Sequence, residues 1–239
     1  MHVARRVGLL DHLEELRRRV LLVLVAVFLL SILAYPLTED IILRIERDVL
    51  GEYAGNVIVT TPFEAVAVRM KLSLLLAGFF SIPLVAYEFL AFITPALRKK
   101  EKKWLIIVSC FSSLLFLAGA GFAYLILPLT MKILLDVAVP IAQPMLVLDE
   151  LISFVIFFLA GVGLIFQWPL AAGMLTYLSI LKPEVLSAYR KHAIVLCFVI
   201  AAVVTADTTF VSQVMLAIPM ILLYEAGIIT SKVVYMLKK

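Results

Sequence analysis

WLIIVSCFSSLLFLAGAGFAYLIL, residues Trp104–Leu127, is a run of 24 residues without an Asp, Glu, Lys or Arg. An apolar run of about 20 residues can cross the roughly 30 Å hydrocarbon core of a bilayer as an α-helix. The whole chain shares this character: of its 239 residues 64% are apolar and 16% charged, and its mean hydropathy is +1.12. Soluble domains are about 45–50% apolar and about one quarter charged. The sequence therefore predicts an all-α, polytopic integral membrane protein that has lipid as its solvent.

Further apolar runs predict the other spans, and the last run must be divided. As one helix, Ala193–Ile229 would measure on the order of 55 Å, which is too long for a single crossing. Asp207 interrupts this run, and a charge inside a bilayer is costly, so we expect a hairpin of two short spans with Asp207 at its turn. The sequence thus predicts about six transmembrane helices in a single integral membrane domain, 1–239. The predicted spans are about 20–36, 72–93, 104–127, 151–178, 193–206 and 212–229.

The distribution of Lys and Arg predicts the orientation of these spans. With six spans and a cytoplasmic N-terminus, sixteen of the 21 Lys and Arg residues lie in cytoplasmic segments and five in outer segments. Cytoplasmic loops of membrane proteins carry such an excess of positive charge. We therefore expect a multi-pass protein of the cytoplasmic cell membrane with both termini in the cytoplasm.

Sequence signatures of enzymes, metal sites and nucleic-acid binding are missing. The chain contains no HExxH, GxSxG, CxxC or P-loop pattern. Cys110 and Cys197 both lie in apolar runs and lack the spacing of metal ligands. No basic patch is interleaved with aromatic residues. We expect no enzymatic activity, no cofactor, no bound metal and no nucleic-acid partner.

The segment 1–19 predicts a cytoplasmic amphipathic helix that lies on the inner surface and runs into the first span. Its apolar residues recur at helical spacing, at Leu9, Leu13, Leu16 and Val20. The pairs Glu14–Arg18 and Glu15–Arg19 are four residues apart, and such pairs support any exposed helix. These charges therefore have two interpretations, support of the helix or binding of a ligand.

Several acidic residues near span ends are candidates for function. Glu101 is a single carboxylate among five cations in the loop between spans two and three, where a solvated partner of its neighbours is the alternative. Glu88, Asp207 and Glu225 lie at the ends of spans, where ionisable groups are functional candidates. Snorkelling to the interface is the alternative for Glu88 and Glu225, and capping of the last helix is the alternative for Asp207.

Two features inside the predicted spans indicate helix–helix contacts. Gln167 is a strongly polar side chain deep within the fourth span, where it is a candidate for a contact with a partner or for an interhelical hydrogen bond. Small residues let helices approach closely in lipid. Gly119 and Gly121 of the third span, and Gly161 and Gly163 of the fourth, therefore predict close packing.

Several segments, in order along nearly the whole chain, resemble the TatC family, the polytopic subunit of the twin-arginine translocase. The N-terminal HLEELRRR, residues 12–19, is similar to the family's HLxELRxR signature, and FITPAL, residues 92–97, followed by Glu101 is similar to its FxxPAL…E loop. Phe122-Ala123-Tyr124 with Leu127-Pro128-Leu129 resembles the end of the family's third span. Ser212-Gln213, LAIPM at 216–220, and Tyr224-Glu225 resemble its sixth span.

The resemblance implies a receptor for export signals that contain paired arginines. It implies that Glu15 and Glu101 form the cytoplasmic site for those arginines, because two guanidinium groups require two carboxylates. Other residues of the matched motifs join the candidate binding surface: Arg17, Arg19, Glu88, Phe92 and Pro95. Gln213 is a further candidate site residue, with Asp207 and Glu225. The family's pattern departs at Gln167, where members usually carry Glu, and at Glu88, where many carry Gln; the turn at Asp207 is also one residue longer.

The resemblance also implies partners and an energy source. Single-span subunits of the TatA and TatB type are the expected partners, together with signal peptides, lipid and further copies of the chain in a receptor complex. The transmembrane proton gradient would drive export of folded proteins, since the chain has no nucleotide site. Two other classes stay open from the residues alone: an ion or small-solute transporter with a polar path at Gln167, Glu88 and Glu225, and an inert scaffold in which these groups are dispensable.

Overall fold

The computed structural model describes residues 9–93, 102–138, 145–205 and 210–238, and these are almost entirely helical. The helices are α1 (Leu9–Ala34), α2 (Thr38–Leu50), α3 (Glu64–Ile93), α4 (Lys102–Ala138), α5 (Leu148–Ile165), α6 (Trp168–Tyr177), α7 (Pro183–Ala188), α8 (Arg190–Thr205) and α9 (Phe210–Lys238). Two strands of two residues each, β1 (Val57–Ile58) and β2 (Leu146–Val147), pair in parallel. Short 3₁₀ turns occupy Tyr35–Leu37 and Gly51–Tyr53.

Five helical stretches of the described residues are long and apolar enough to cross a membrane by length and composition. They are Leu13–Tyr53, Glu64–Phe92, Ile106–Asp136, Leu148–Tyr177 and Gln213–Lys238. Helix α8, which contains most of the predicted 193–206 span, has 16 residues and is therefore short, as expected. Helix α9 has 29 residues and extends beyond the predicted 212–229 span. Asp207, predicted at the turn before α9, lies outside the described residues, and the orientation of the termini stays a prediction.

Two compact units make up the chain, Met1–Thr38 with Arg69–Leu114 and Glu39–Val68 with Leu115–Lys239. Whether these units form one integral domain over 1–239, as the sequence predicts, stays a prediction. In the first unit, α1 continues without a break from the predicted amphipathic segment into the first span. Pro36 ends it, because proline disfavours the helical conformation in the residue before it and cannot donate to the helix.

The turn that follows α1 is held by a cluster of three side chains in the first unit. The Thr38 hydroxyl donates to the carbonyl of Tyr35 at 2.7 Å. It accepts a hydrogen bond from Nε of Arg69 at 3.1 Å, and the Arg69 guanidinium lies 4.7 Å from the centre of the Tyr35 ring. Thr38 is completely buried. Polar groups of this turn are thus paired within the protein.

Helix α2, in the second unit, was not predicted from the sequence. Its buried residues Ile45 and Val49 lie one turn apart on one face, while Leu43 is exposed. Glu39 and Asp40 in the first turn and Arg47 in the last turn have the charges that favour each end of a helix. This amphipathic pattern is present in the sequence, between the predicted first and second spans.

A buried carboxylate in the second unit joins the segments that precede α3 and α5. Oε2 of Glu64 accepts hydrogen bonds from the backbone N–H and hydroxyl of Thr60, both at 2.6 Å, and from the N–H of Thr61 at 3.3 Å. Its Oε1 accepts the N–H of Asp149 in the first turn of α5 at 3.0 Å. The strands β1 and β2 pair beside it, with Val57 opposite Leu146. Glu64 therefore satisfies backbone donors at the beginning of two helices.

Two reciprocal contacts between glycine and phenylalanine pack α4 against the end of α5. A Cβ added to Gly119 would lie 2.7 Å from Cγ of Phe166, and a Cβ added to Gly163 would lie 2.7 Å from the ring of Phe116. Phe116 and Gly119 are three residues apart on α4, and Gly163 is three residues before Phe166, which directly follows α5. Each segment therefore contributes one ring and one glycine to the contact. The prediction of close packing is confirmed for Gly119 and Gly163. It is wrong for Gly121 and Gly161, where an added Cβ meets nothing within 4 Å.

We predict that alanine at Gly119 or Gly163 destabilises the protein, because the new methyl group overlaps a ring that is already packed. The expected cost is about 1–3 kcal/mol, seen as a melting temperature several degrees lower in the same detergent. Gly121→Ala and Gly161→Ala are matched controls, and they should leave the melting temperature unchanged or raise it, since alanine is the better helix former. Equal effects at all four positions would contradict the packing described.

We also predict that Glu64→Gln lowers the melting temperature. Both oxygens of the carboxylate face N–H donors, whereas a Gln amide has one oxygen and one NH₂ group. In either orientation its NH₂ meets a backbone N–H, so a donor at the beginning of α3 or α5 loses its partner. Glu150→Gln, at an exposed position in the first turn of α5, is the control. If the Glu64→Gln protein has the same melting temperature as the wild type, the hydrogen bonds of Glu64 are dispensable for stability.

Candidate functional site

Glu15 and Arg19 lie one turn apart on α1 and form an ion pair. Nε and Nη2 of Arg19 donate to Oε1 of Glu15 at 3.1 and 2.6 Å. Their spacing of four residues places both side chains on one face of the helix. The pair predicted from this spacing is confirmed.

The same guanidinium also contacts α3. Nη1 of Arg19 donates to Oε2 of Glu88 at 2.5 Å, although the two residues are 69 positions apart in the chain. The side chains of Arg19, Glu15 and Glu88 are 25%, 35% and 14% exposed, so the cluster is partly shielded from solvent. We call these three residues the Arg19 cluster. Resemblance placed Glu88 near a binding surface, but no feature of the sequence indicated its contact with Arg19.

The Arg19 cluster has one positive and two negative charges. Planar guanidinium groups have several N–H donors in a fixed fork, and this geometry suits carboxylates better than that of a lysine ammonium group. Arg19 contacts one oxygen of each carboxylate, and each carboxylate has two. The cluster therefore combines a net negative charge with an arrangement that fits arginine.

The other residues of the predicted binding surface are placed only in part. Arg17 is exposed on α1, and Phe92 is half-buried on α3, one turn after Glu88. Residues four apart share a face of a helix, so Phe92 extends the face that carries Glu88. Glu101 and Pro95 lie outside the described residues. Their participation in a common site with Glu15 stays a prediction.

Gln167 lies at a break between two helices, within the span candidate Leu148–Tyr177. The predicted 151–178 span is divided into α5 and α6, and Gln167 is the residue immediately before α6. Its N–H donates to the carbonyl of Leu164 and its carbonyl accepts the N–H of Ala171, both at 3.0 Å. Pro169 contributes to the break because it has no N–H to continue the helical pattern of α5. The half-buried Gln167 thus lies at a point where the backbone leaves regular helix.

Glu225, predicted as a candidate on α9, forms an exposed ion pair with Arg190 at the beginning of α8. Oε1 accepts Nε at 2.8 Å and Oε2 accepts Nη2 at 2.9 Å, so the contact uses both oxygens and the guanidinium fork. Exposed pairs of this kind contribute little to stability. Sequence reasoning did not find Arg190 as the partner. Gln213 is half-buried near the beginning of α9, and Asp207 lies outside the described residues.

The described side chains do not assemble a metal site. No group of three or more His, Cys, Asp or Glu residues among them is close enough to hold a metal ion. The thiols of the exposed Cys110 and the buried Cys197 are free.

By its helices, the protein belongs to the class of polytopic α-helical membrane proteins. Its Arg19 cluster holds an arginine between two carboxylates. The sequence model of the family described as Sec-independent protein translocase protein (TatC) matches residues 11–219. The chain belongs to the TatC family, and the resemblance drawn from its motifs is confirmed.

Relatives match over most of the chain. The Sec-independent protein translocase protein TatC of Aquifex aeolicus (strain VF5) is 34% identical over 235 residues, which cover 97% of each chain. TatCd of Bacillus subtilis (strain 168) is 35% identical over 228 residues, covering 95% of this chain and 92% of that protein. A crystal structure of the twin-arginine translocase receptor TatC matches with a TM-score of 0.78 at 34% identity, covering 93% of this chain and 99% of the other. The predicted all-α, polytopic membrane fold is thereby confirmed.

Proposed function

We propose that this protein recognises export signals with paired arginines, as the receptor subunit of a twin-arginine translocase. Membership of the TatC family gives the class, and the Arg19 cluster is the observation that supports the ligand. There two carboxylates already surround one guanidinium, with Glu15 and Glu88 each contributing an oxygen. A surface that accommodates this group from its own chain has the charge and shape to accommodate it from a peptide.

Glu15 and Glu101 are the proposed partners of the signal's two arginines. Each arginine would donate two parallel N–H bonds to one carboxylate, a contact that lysine cannot make with its single ammonium group. Hydrogen bonds to charged groups contribute about 1.5–3 kcal/mol. Arg17, Phe92 and Pro95 complete the proposed surface, with Phe92 on the face of α3 that carries Glu88.

The remaining parts of the proposal concern orientation, energy and partners. The excess of Lys and Arg in one set of loops supports a cytoplasmic location for both termini and for the binding surface. Since the sequence has no phosphate-binding motif, the transmembrane proton gradient is the proposed energy source. Single-span subunits of the TatA and TatB type would provide the passage for folded cargo, with several copies of this chain in one receptor complex.

Contacts with those partners are proposed for the polar residues of the second unit. Gln167 has an amide that can donate and accept at a break between α5 and α6, and neutral hydrogen bonding suits this position better than proton transfer. Gln213, Glu225 and Asp207 are further candidates. A polar path for ions through Gln167, Glu88 and Glu225 is the alternative, and it requires that the protein alone transport solute in liposomes.

We predict that Glu15→Gln and Glu101→Gln each weaken binding of a twin-arginine signal peptide about ten- to hundredfold, because each removes a charge-assisted contact. Binding of a fluorescent peptide to the full chain in lipid nanodiscs measures this. Glu14→Gln, an exposed neighbour on α1, is the control and should bind as the wild type does.

A second peptide with two lysines in place of the arginines tests the chemistry. The wild type should bind it at least tenfold more weakly, since the ammonium group lacks the planar fork. Equal affinity for the two peptides would remove the basis of the proposed function.

A further inference from the structure

Arg19, an arginine of the chain itself, is bound to Glu15, the carboxylate that is proposed to bind the signal. Two of its N–H donors, on Nε and Nη2, contact Oε1 of Glu15. As long as this ion pair is intact, the charge of Glu15 is neutralised and one of its oxygens is occupied. An arginine from a peptide must therefore compete with Arg19 for Glu15.

Glu88 offers Arg19 an alternative partner on another helix. Its Oε2 accepts Nη1 of Arg19 at 2.5 Å, and its side chain, at 14% exposed, is more shielded than that of Glu15 at 35%. Charge pairs that are shielded from water interact more strongly than exposed ones. The guanidinium can consequently turn about its long side chain toward Glu88 and keep an ionic partner when it leaves Glu15.

We propose that Arg19 is an internal competitor of the signal, and that Glu88 is a positioning residue that draws Arg19 away from Glu15. This inference rests on the proposed function, since it concerns the regulation of the same site. Binding is then an exchange in which the signal's arginine takes Glu15 and Arg19 keeps Glu88. Glu88 acts through Arg19 and does not itself bind the signal, which distinguishes its role from that of Glu15.

The charge of Glu88 is what this exchange requires. A neutral amide could accept a hydrogen bond from Arg19 but could not replace the charge of Glu15 as its counterion. The carboxylate at Glu88 gives Arg19 a second counterion, and the signal can then displace it without leaving a guanidinium unpaired.

A double-mutant cycle of peptide affinity tests this proposal on the full chain in nanodiscs. Arg19→Gln removes the competitor and should tighten binding of the twin-arginine peptide about three- to tenfold, as expected for loss of one partly exposed ion pair. Glu88→Gln leaves Arg19 with only Glu15 as a charged partner in the cluster and should weaken binding by a similar factor. In the double variant Glu88→Gln should have no further effect, so its affinity equals that of Arg19→Gln within about twofold.

Controls separate this result from general effects of charge and folding. Arg190→Gln disrupts an exposed ion pair between α8 and α9, in the second unit, and should leave affinity unchanged. Arg19→Lys keeps the positive charge but lacks the fork that spans two carboxylates. It should therefore change the peptide affinity in the same direction as Arg19→Gln, by a smaller factor. Arg19→Lys provides the test if the Arg19→Gln protein does not insert into the membrane.

The possible outcomes are distinct. Weaker binding by Arg19→Gln overturns the exchange. The same loss from Glu88→Gln in both backgrounds also overturns it, and assigns Glu88 to direct contact with the signal. This can happen while the wild type still prefers arginine to lysine, so the proposed function survives it. A wild type that does not distinguish twin-arginine from twin-lysine peptides overturns the proposed function, and the exchange with it.

Discussion

The hydrocarbon core of a bilayer cannot form hydrogen bonds with a protein backbone, and this constraint governs the membrane-spanning helices. Each N–H and carbonyl in a membrane span must find its partner within the protein. Long helices meet the requirement, and hydroxyl groups inside them follow it too. They donate to carbonyls three or four residues earlier, as in Ser31 to Phe28, Ser81 to Ala77, Thr130 to Ile126 and Thr176 to Ala172. Apolar spans can therefore contain serine and threonine without an unpaired polar group.

Where the chain leaves regular helix, the freed groups obtain specific partners. The turn after α1 uses Thr38, whose hydroxyl donates to Tyr35 and accepts from Arg69. The beginning of α5 uses Glu64, which accepts the N–H of Asp149. Each of these side chains is buried or half-buried, and each joins segments far apart in sequence. The breaks are thus the places where polar residues, and with them candidate functional groups, enter a largely apolar structure.

Features set by local sequence could be predicted, and features set by distant contacts could not. The apolar run Trp104–Leu127 predicts a span because hydropathy is a local property, and the Glu15–Arg19 pair follows from helical spacing. Glu88 is 69 residues from Arg19, and Glu64 is 85 residues from Asp149, so no periodicity links either pair. Pro169 marks the break at Gln167, yet Pro83, Pro128 and Pro219 lie inside continuous helices. Proline alone therefore cannot identify a break in a membrane helix.

The most direct measurement of the central claim, that paired arginines bind beside the Arg19 cluster, is photo-crosslinking. A photoreactive phenylalanine analogue at Phe92, one turn after Glu88, preserves the aromatic side chain and probes this face of α3. It should crosslink a twin-arginine peptide, and excess unlabelled twin-arginine peptide should compete where twin-lysine peptide does not. The same analogue at Phe63, which is 82% exposed in the second unit, is the control and should give no crosslink. Equal yields at the two positions, or equal competition by the lysine peptide, would contradict recognition of arginine at this site.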